Sequence, residues 1–322
     1  MEKSSSYKPA IWFRNGHVQT VLASALRKVR GVAYARERIQ TSDHDFLDLD
    51  WSCSGEKVLA IISHGLEGNS QSANVKGMVK ALNDADIDCL AWNYRSCSGE
   101  INRQLRMYHN GCTDDLDLVI DHAITKGYEN LILIGFSMGG NMNLLYLGQQ
   151  SEQLRPQIKA AVTFSVPLNL QDSANQLSRL ANSLYMKHFL KMFYYKLQEK
   201  QILFPEHINL EGYDKLKNFK DYDDRYTAPI HGFKSAEDYW SKCSSGPVLN
   251  SIQVPSLIVN AENDPFLGPL CYPDQPQTNS NIYLDMPKYG GHVGFMKHHL
   301  HHTYWSEYQA VNFIQQHAMN KI

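Results

Sequence analysis

Six short apolar segments constrain the fold of this chain more than any other feature of its sequence. They lie at residues 57–63, 87–94, 130–135, 158–166, 254–261 and 280–286. None alternates strictly between apolar and polar residues, which is typical of parallel strands that are covered on both faces. Stretches of helical character separate several of them. We therefore predict an α/β fold with a mostly parallel, doubly wound sheet.

The segments around these strands predict helices and a hairpin. Residues 72–84 place their apolar side chains on one stripe, and residues 113–125 begin with a threonine and two aspartates, which suit a helix N-terminus. Residues 303–317 carry an apolar face that we expect to close the fold. Near the N-terminus, residues 35–40 and 45–51 predict an antiparallel hairpin at one edge of the sheet.

The alternation of strands and helices stops between residues 171 and 250, where aromatic and basic residues are dense. We predict that 171–250 is a helical lid inserted between two strands, since long insertions often cover active sites. Ordinary helical packing on the core is the alternative. The predicted organisation is then an N-terminal segment at 1–34 that packs on the core, the core itself at 35–170 and 251–322, and the lid.

The composition narrows the classes of function. With 322 residues, 43% of them hydrophobic, the chain is long enough for one large core. A formal net charge of −2 disfavours a nucleic-acid partner, which needs a basic surplus. The six cysteines include no CxxC pair, the N-terminus lacks a signal-peptide core, and no apolar run is long enough to span a bilayer. We therefore expect a cytoplasmic protein without metal or cofactor, and the oligomeric state stays open.

The strongest chemical signal is the sequence Gly135-Phe136-Ser137-Met138-Gly139, between an apolar strand and a helical stretch. This is the G-x-S-x-G pattern of a nucleophile elbow in the context that it requires. A serine on so tight a turn leaves no room for side chains two residues away, and Gly135 and Gly139 remove them. The helix that follows stabilises developing negative charge. We predict that Ser137 is a catalytic nucleophile.

A serine nucleophile needs a base, and the base needs an orienting carboxylate. In the order typical of this elbow, the acid follows the serine and the histidine comes last. Asp264 lies just beyond the fifth predicted strand and is preferred to Glu262, because it is further into the loop. His292 follows the sixth strand and two glycines. The predicted triad is therefore Ser137, Asp264 and His292.

The oxyanion of such a reaction is held by two backbone N–H groups. Met138, directly after the nucleophile, is expected to supply one. The loop His64-Gly65-Leu66, which follows the first predicted strand, is expected to supply the other from Leu66. In this interpretation Gly65 lets the loop fold tightly, and His64 supports it without acting as a base.

A second group of histidines offers a different chemistry. It consists of His298, His299, His301 and His302. The spacing of four between the first and the last could chelate a metal on a helix. No glutamate stands between them as in a zinc-protease motif, so we predict no metal site here.

Four sequence blocks then resemble those of the YheT-like branch of the α/β-hydrolases, which is related to abhydrolase-domain esterases and lipases. Residues 13–20, FRNGHVQT, are similar to its N-terminal N-x-H-x-Q-T signature, and residues 64–76 to its oxyanion loop. Residues 93–100, NYRSCSGE, resemble its N-[FY]-R-G-C-S-G motif with Ser96 in place of a glycine, and residues 135–141 resemble its elbow. ENDPF and GGHVGF extend the resemblance to about residue 295.

This resemblance implies an α/β-hydrolase fold and hydrolysis of carboxylic esters, with lipid-like or medium-chain acyl groups among the family's substrates. It does not explain Asn15, His17 and Gln19 of the first block. We expect these polar side chains to hydrogen-bond the N-terminal segment onto the core. Ser96 departs from the family pattern and is expected to restrict backbone approach at its loop.

The predicted lid leaves several alternatives open. Its apolar residues could line an acyl pocket: Leu184, Met186, Phe189, Met192, Phe193 and Tyr194. Lys187, Lys191 and Lys196 could instead contact an anionic membrane surface, and ordinary lid packing is a third possibility. The reaction has alternatives too. Acyl transfer would use the same triad, whereas a non-catalytic ligand-binding protein would have no need for its complete Ser–Asp–His order.

Overall fold

The computed structural model describes residues 5–273, 278–297 and 303–319, and an eight-stranded sheet forms its centre. The strands are β1 (Ala35–Gln40), β2 (Phe46–Ser52), β3 (Val58–Ser63), β4 (Asp88–Asn93), β5 (Asn130–Phe136), β6 (Ile158–Phe164), β7 (Ser256–Val259) and β8 (Ile282–Asp285). Their order is β1-β2-β4-β3-β5-β6-β7-β8. β1 pairs with β2 and β2 with β4 in antiparallel fashion, and every other pair is parallel. The predicted sheet and its edge hairpin are confirmed.

The central strands are buried on both faces, which explains their continuous apolar sequences. All six residues of β3 and of β4 are buried. Along β3, Leu59 and Ile61 belong to one core cluster, while Ala60 and Ile62 belong to another on the opposite face. The sheet therefore lies between two hydrophobic layers, each covered by helices.

Helices cover both faces of the sheet. They are α1 (Gly16–Ala25), α2 (Ala73–Asn83), α3 (Thr113–Thr125), α4 (Met138–Gln150) and, at the end of the described chain, a helix at Trp305–His317. The predicted helices at 72–84, 113–125 and 303–317 are confirmed. α2 and the Trp305–His317 helix pack in one core layer, and α3 and α4 in the other.

Between β6 and β7 the chain forms helices and no strand. The helices are α5 (Leu170–Leu177), α6 (Ser183–Leu203), α7 (Phe219–Tyr222), α8 (Ala228–His231) and α9 (Ala236–Cys243), with a π-helical turn at Asp223–Thr227; the Trp305–His317 helix is α10. Much of this region packs in a hydrophobic cluster of its own, which Leu66 and Phe266 join from loops after β3 and β7. Those loops leave the carboxyl ends of parallel strands, so the helical region lies beside that edge of the sheet.

Within the described residues, no helix combines enough length with enough apolar character to span a bilayer.

Candidate active site

Ser137 lies at the sharp turn between β5 and α4. Its backbone has φ 52° and ψ −118°, a conformation that residues other than glycine adopt only under strain. A Cβ on Gly135 would lie 2.5 Å from the Cα of Gly140, and one on Gly139 would lie 2.3 Å from the carbonyl oxygen of Ser63. Both contacts are with backbone atoms. The two glycines are therefore required by the turn, for the steric reason expected from the sequence.

The structure brings Ser137, His292 and Asp264 together. His292 Nε2 lies 2.8 Å from Ser137 Oγ, and His292 Nδ1 lies 2.9 Å from Asp264 Oδ2. Because the carboxylate accepts a hydrogen bond from Nδ1–H, Nε2 is free to accept one from the serine hydroxyl. The Asp264 side chain is fully buried, and it also accepts a hydrogen bond from the Phe266 amide at 2.8 Å. Glu262, the alternative acid, is exposed.

The loop after β3 lies against Ser137. A Cβ on Gly65 would contact the Cβ of Ser137 at 3.4 Å, so Leu66 is one residue away from this close approach. The Gly68 N–H donates to the Gly65 carbonyl at 3.0 Å, and Glu67 has φ 57°, which closes a tight turn. This turn and Met138, the first residue of α4, flank Ser137 from two sides.

The His64 side chain holds this loop by hydrogen bonds to backbone groups. Its Nδ1–H donates to the Gly65 carbonyl at 2.7 Å, and its Nε2 accepts the Tyr94 N–H at 3.2 Å. Burial lowers the pKa of His64 to about 3, so its ring is neutral at physiological pH. Both ring nitrogens are hydrogen-bonded to backbone groups of Gly65 and Tyr94, which leaves none for proton transfer to Ser137.

The loop that carries His292 is held by four side chains that accept its backbone N–H groups. Gly291 donates to Asn263 Oδ1 at 3.0 Å, His292 to Thr20 Oγ1 at 2.8 Å, Val293 to Ser165 Oγ at 2.9 Å, and Met296 to Gln19 Oε1 at 3.1 Å. Gly291, Val293 and Phe295 have φ between 45° and 56°. Because three residues adopt left-handed backbone, this loop needs outside partners for its polar groups.

Two of these four acceptors come from the N-terminal block of sequence. Gln19 is fully buried, and its Oε1 also accepts the Tyr7 hydroxyl at 2.9 Å. Asn15 caps α1 by accepting the Val18 N–H at 3.1 Å, and His17 stacks on the Tyr185 ring of α6. Of Asn15, His17 and Gln19, only Gln19 bonds to the histidine loop, whereas Asn15 bonds within α1 and His17 contacts α6.

Sequence reasoning missed three contributors to the site: Thr20, Asn263 and Ser165. Thr20 is the last residue of the N-terminal signature, and Asn263 stands next to Asp264, so both lay beside residues that were singled out. Ser165 follows β6 with φ 55°. A serine at the carboxyl end of a central strand is the signal that could have identified it.

A cavity of about 420 Å³ begins at Ser137 and His292 and extends beneath the helical region. Aliphatic and aromatic side chains form much of its wall, among them Leu66, Leu170, Leu177, Phe189, Phe193 and Phe266. Of the six lid residues predicted to line a pocket, Phe189 and Phe193 do so. The prediction is wrong for the other four: Leu184 is 78% exposed, and Met186 is buried away from the cavity. Met192 and Tyr194 also lie outside the wall.

Charged side chains of the cavity wall are paired with side chains of opposite charge. Arg27 pairs with Glu307 at 2.6 Å, and Glu67 pairs with Lys196 at 2.8 Å. Burial raises the pKa of Asp223 to about 7, so a substantial fraction of this carboxyl is neutral near that pH. The cavity thus suits an uncharged, apolar group.

The lysines of α6 differ in their environments. Lys196 is mostly buried, and its Nζ lies 2.8 Å from Glu67 Oε1 and 3.1 Å from Cys97 Sγ. The prediction that Lys196 could contact a membrane surface is therefore wrong, because its charge is already used within the protein. Lys187 and Lys191 are exposed.

The histidine group His298, His299, His301 and His302 lies outside the described residues. Within the part of the chain that the structure describes, no group of three or more His, Cys, Asp or Glu side chains is arranged to hold a metal ion.

Several known proteins resemble this chain in sequence and in fold. A family profile described as "alpha/beta hydrolase fold" matches residues 61–298. The putative esterase YheT of Escherichia coli is 31% identical over 91% of this chain and 88% of its own length. The chain belongs to the α/β-hydrolase family. Its resemblance to the YheT-like branch is thereby confirmed.

More distant relatives extend the comparison. The human phospholipase ABHD3 is 27% identical over 91% of this chain and 74% of that protein. Among solved structures, an esterase of Pyrococcus furiosus superposes with a TM-score of 0.58 at 15% identity and covers 98% of this chain and 99% of the esterase. At that identity the likeness is one of fold.

Proposed function

We propose that this α/β-hydrolase cleaves carboxylic esters through an acyl-enzyme on Ser137. The observation that carries the proposal is the continuous hydrogen-bonded series Asp264–His292–Ser137 at the inner end of an apolar cavity. Relatives named esterase and phospholipase support the reaction class.

In the first half of the reaction, Ser137 Oγ forms a bond to the ester carbonyl carbon while His292 Nε2 takes its proton. Asp264 stabilises the resulting imidazolium. The N–H groups of Leu66 and Met138 hold the negative oxygen of the tetrahedral intermediate. The carbon–oxygen bond to the leaving alcohol then breaks, and His292 gives that alcohol the proton.

In the second half, water attacks the acyl-enzyme. His292 takes a proton from the water, the new tetrahedral intermediate collapses, and Ser137 leaves with the proton returned by the histidine. The products are a carboxylic acid and the free enzyme.

The substrate class follows from the cavity. Its apolar wall and compensated charges suit an uncharged acyl chain or lipid-like ester. The helices within 171–250 supply Phe189 and Phe193 to this wall, and we include in the proposal that they act as a lid.

Labelling with a fluorophosphonate probe and hydrolysis of p-nitrophenyl esters of graded acyl length test this function. Ser137→Ala should abolish labelling and reduce turnover by about 10⁴–10⁶-fold. Ser151→Ala is a matched control, because Ser151 also has a left-handed backbone, with φ 44°, but lies at the far end of α4. Full activity of Ser137→Ala would refute the assignment. Product analysis with added alcohols or thiols distinguishes hydrolysis from acyl transfer.

A further inference from the structure

Two segments of the chain expose large apolar side chains beside the cavity. They are the N-terminal segment with α1, and the start of the helical region with α6. We call their exposed side chains the rim patch: Ile11, Trp12, Val18, Val21, Leu180 and Leu184. Trp12 is 67% exposed and Leu184 is 78% exposed, and exposed apolar side chains that gather on one part of a surface mark interaction sites.

The two segments meet at the mouth of the cavity. His17 of α1 stacks on Tyr185 of α6 with 5.8 Å between ring centroids, and His17 Nδ1 lies 3.2 Å from the tyrosine hydroxyl. Ser24 of α1 and His188 of α6 both line the cavity and are exposed, so the opening lies between these two helices. The rim patch therefore borders the path by which a substrate reaches Ser137.

Most of the length of both segments carries no acidic residue, although the whole chain has a formal net charge of −2. Residues 3–36 and 173–198 contain no Asp or Glu. Arg14, Lys187 and Lys191 are exposed within them. An anionic partner thus meets cations around the apolar residues and no carboxylates from residues 3–36 and 173–198.

We propose that the rim patch docks the protein on an anionic lipid surface. Exposed Trp and aliphatic side chains enter the boundary between lipid headgroups and acyl chains, while Lys and Arg attract the anionic headgroups. A second copy of this chain is a poorer partner, because a symmetric contact would bring the same cations against each other. The further step, that docked protein draws ester lipids directly into the cavity, rests on the proposed function.

Co-sedimentation with vesicles tests the docking without reference to catalysis. The full chain should sediment with vesicles of phosphatidylcholine and phosphatidylglycerol and much less with phosphatidylcholine alone. Trp12→Ser combined with Leu184→Ser, and separately Lys187→Glu, should weaken binding about tenfold or more. Leu270→Ser is the matched apolar control, since Leu270 is 67% exposed outside the rim patch. Lys57→Glu is the charge control, because Lys57 precedes β3 at the opposite end of the sheet.

The outcomes separate this proposal from the proposed function. All these variants should hydrolyse a soluble p-nitrophenyl ester like the wild type, which also shows that they are folded. Wild-type protein that stays in the supernatant with anionic vesicles would overturn the docking, as would rim-patch variants that bind as well as their controls. If gel filtration shows a dimer that Leu184→Ser converts to monomer, a second copy of the chain is the partner, and the docking proposal is overturned too. Vesicle binding without any esterase activity would leave the docking standing and refute the function.

Discussion

Replacing Thr20 with valine removes one hydroxyl from the site and changes the side chain's shape very little. That hydroxyl accepts the His292 N–H at 2.8 Å and donates to the Gly16 carbonyl at 2.8 Å, and Thr20 is 7% exposed. Valine leaves the His292 amide without this acceptor. An unsatisfied buried donor costs about 1–3 kcal/mol. The loop relieves this cost by moving, and the imidazole moves with it.

The magnitude follows from that cost. If all of it were expressed as misplacement of the base, 1.36 kcal/mol per factor of ten would give a loss of about 5- to 150-fold in turnover. Because the other three acceptors still hold the loop, we expect a loss of kcat of about tenfold. KM should change little, since valine fills the same volume of the cavity wall.

The assay is steady-state hydrolysis of a p-nitrophenyl ester, with kcat and KM measured separately for Thr20→Val and Thr20→Ser. Serine retains the hydroxyl and should restore most of kcat, which a purely steric role of the threonine would not predict. Thermal unfolding of each variant checks that the protein is folded at the assay temperature. A wild-type kcat for Thr20→Val, or an equal loss for both variants, would refute the positioning role.

Two further predictions concern the loop after β3, beside Ser137. Lys196→Met leaves Glu67 as an unpaired buried charge and should lower the free energy of unfolding by about 3 kcal/mol, as measured by urea denaturation. Adding Glu67→Gln removes that charge and should restore much of the lost stability. Burial lowers the pKa of His64 from 6.5 to about 3. Between these two pH values the histidine is protonated in the unfolded chain and neutral in the folded protein. The free energy of unfolding therefore decreases as the pH falls from 6.5 towards 3. His64→Gln should flatten this dependence by about 1.4 kcal/mol per pH unit in calorimetric unfolding, and a wild-type slope in the variant would contradict the buried neutral ring.

The sheet and the three-residue series at its edge were predictable from the sequence because local patterns specify them. Continuous apolar segments identify buried strands, and Ser137, Asp264 and His292 each follow such a strand, at the edge where parallel strands place their following loops. Their mutual distances also depend on the loops that carry them across the intervening strand β6.

The partners of polar side chains were not predictable in the same way. Thr20 and His292 are 272 residues apart, and nothing local indicates that they meet. Likewise, α6 carries aromatic and aliphatic residues around most of its circumference, so its sequence does not reveal which face covers the cavity. Tertiary packing selects Phe189 and Phe193 for that face and leaves Leu184 outside.

The hydrogen bond between the Thr20 hydroxyl and the His292 amide also has a consequence for biosynthesis. On the ribosome, α1 and the serine turn are made long before residue 292 emerges, and a domain generally folds as a unit. In the proposed mechanism His292 activates Ser137, and its loop can bond Thr20 only after the 272 residues that follow Thr20 have been made. A nascent chain that stops before residue 292 therefore carries a serine without its proposed base.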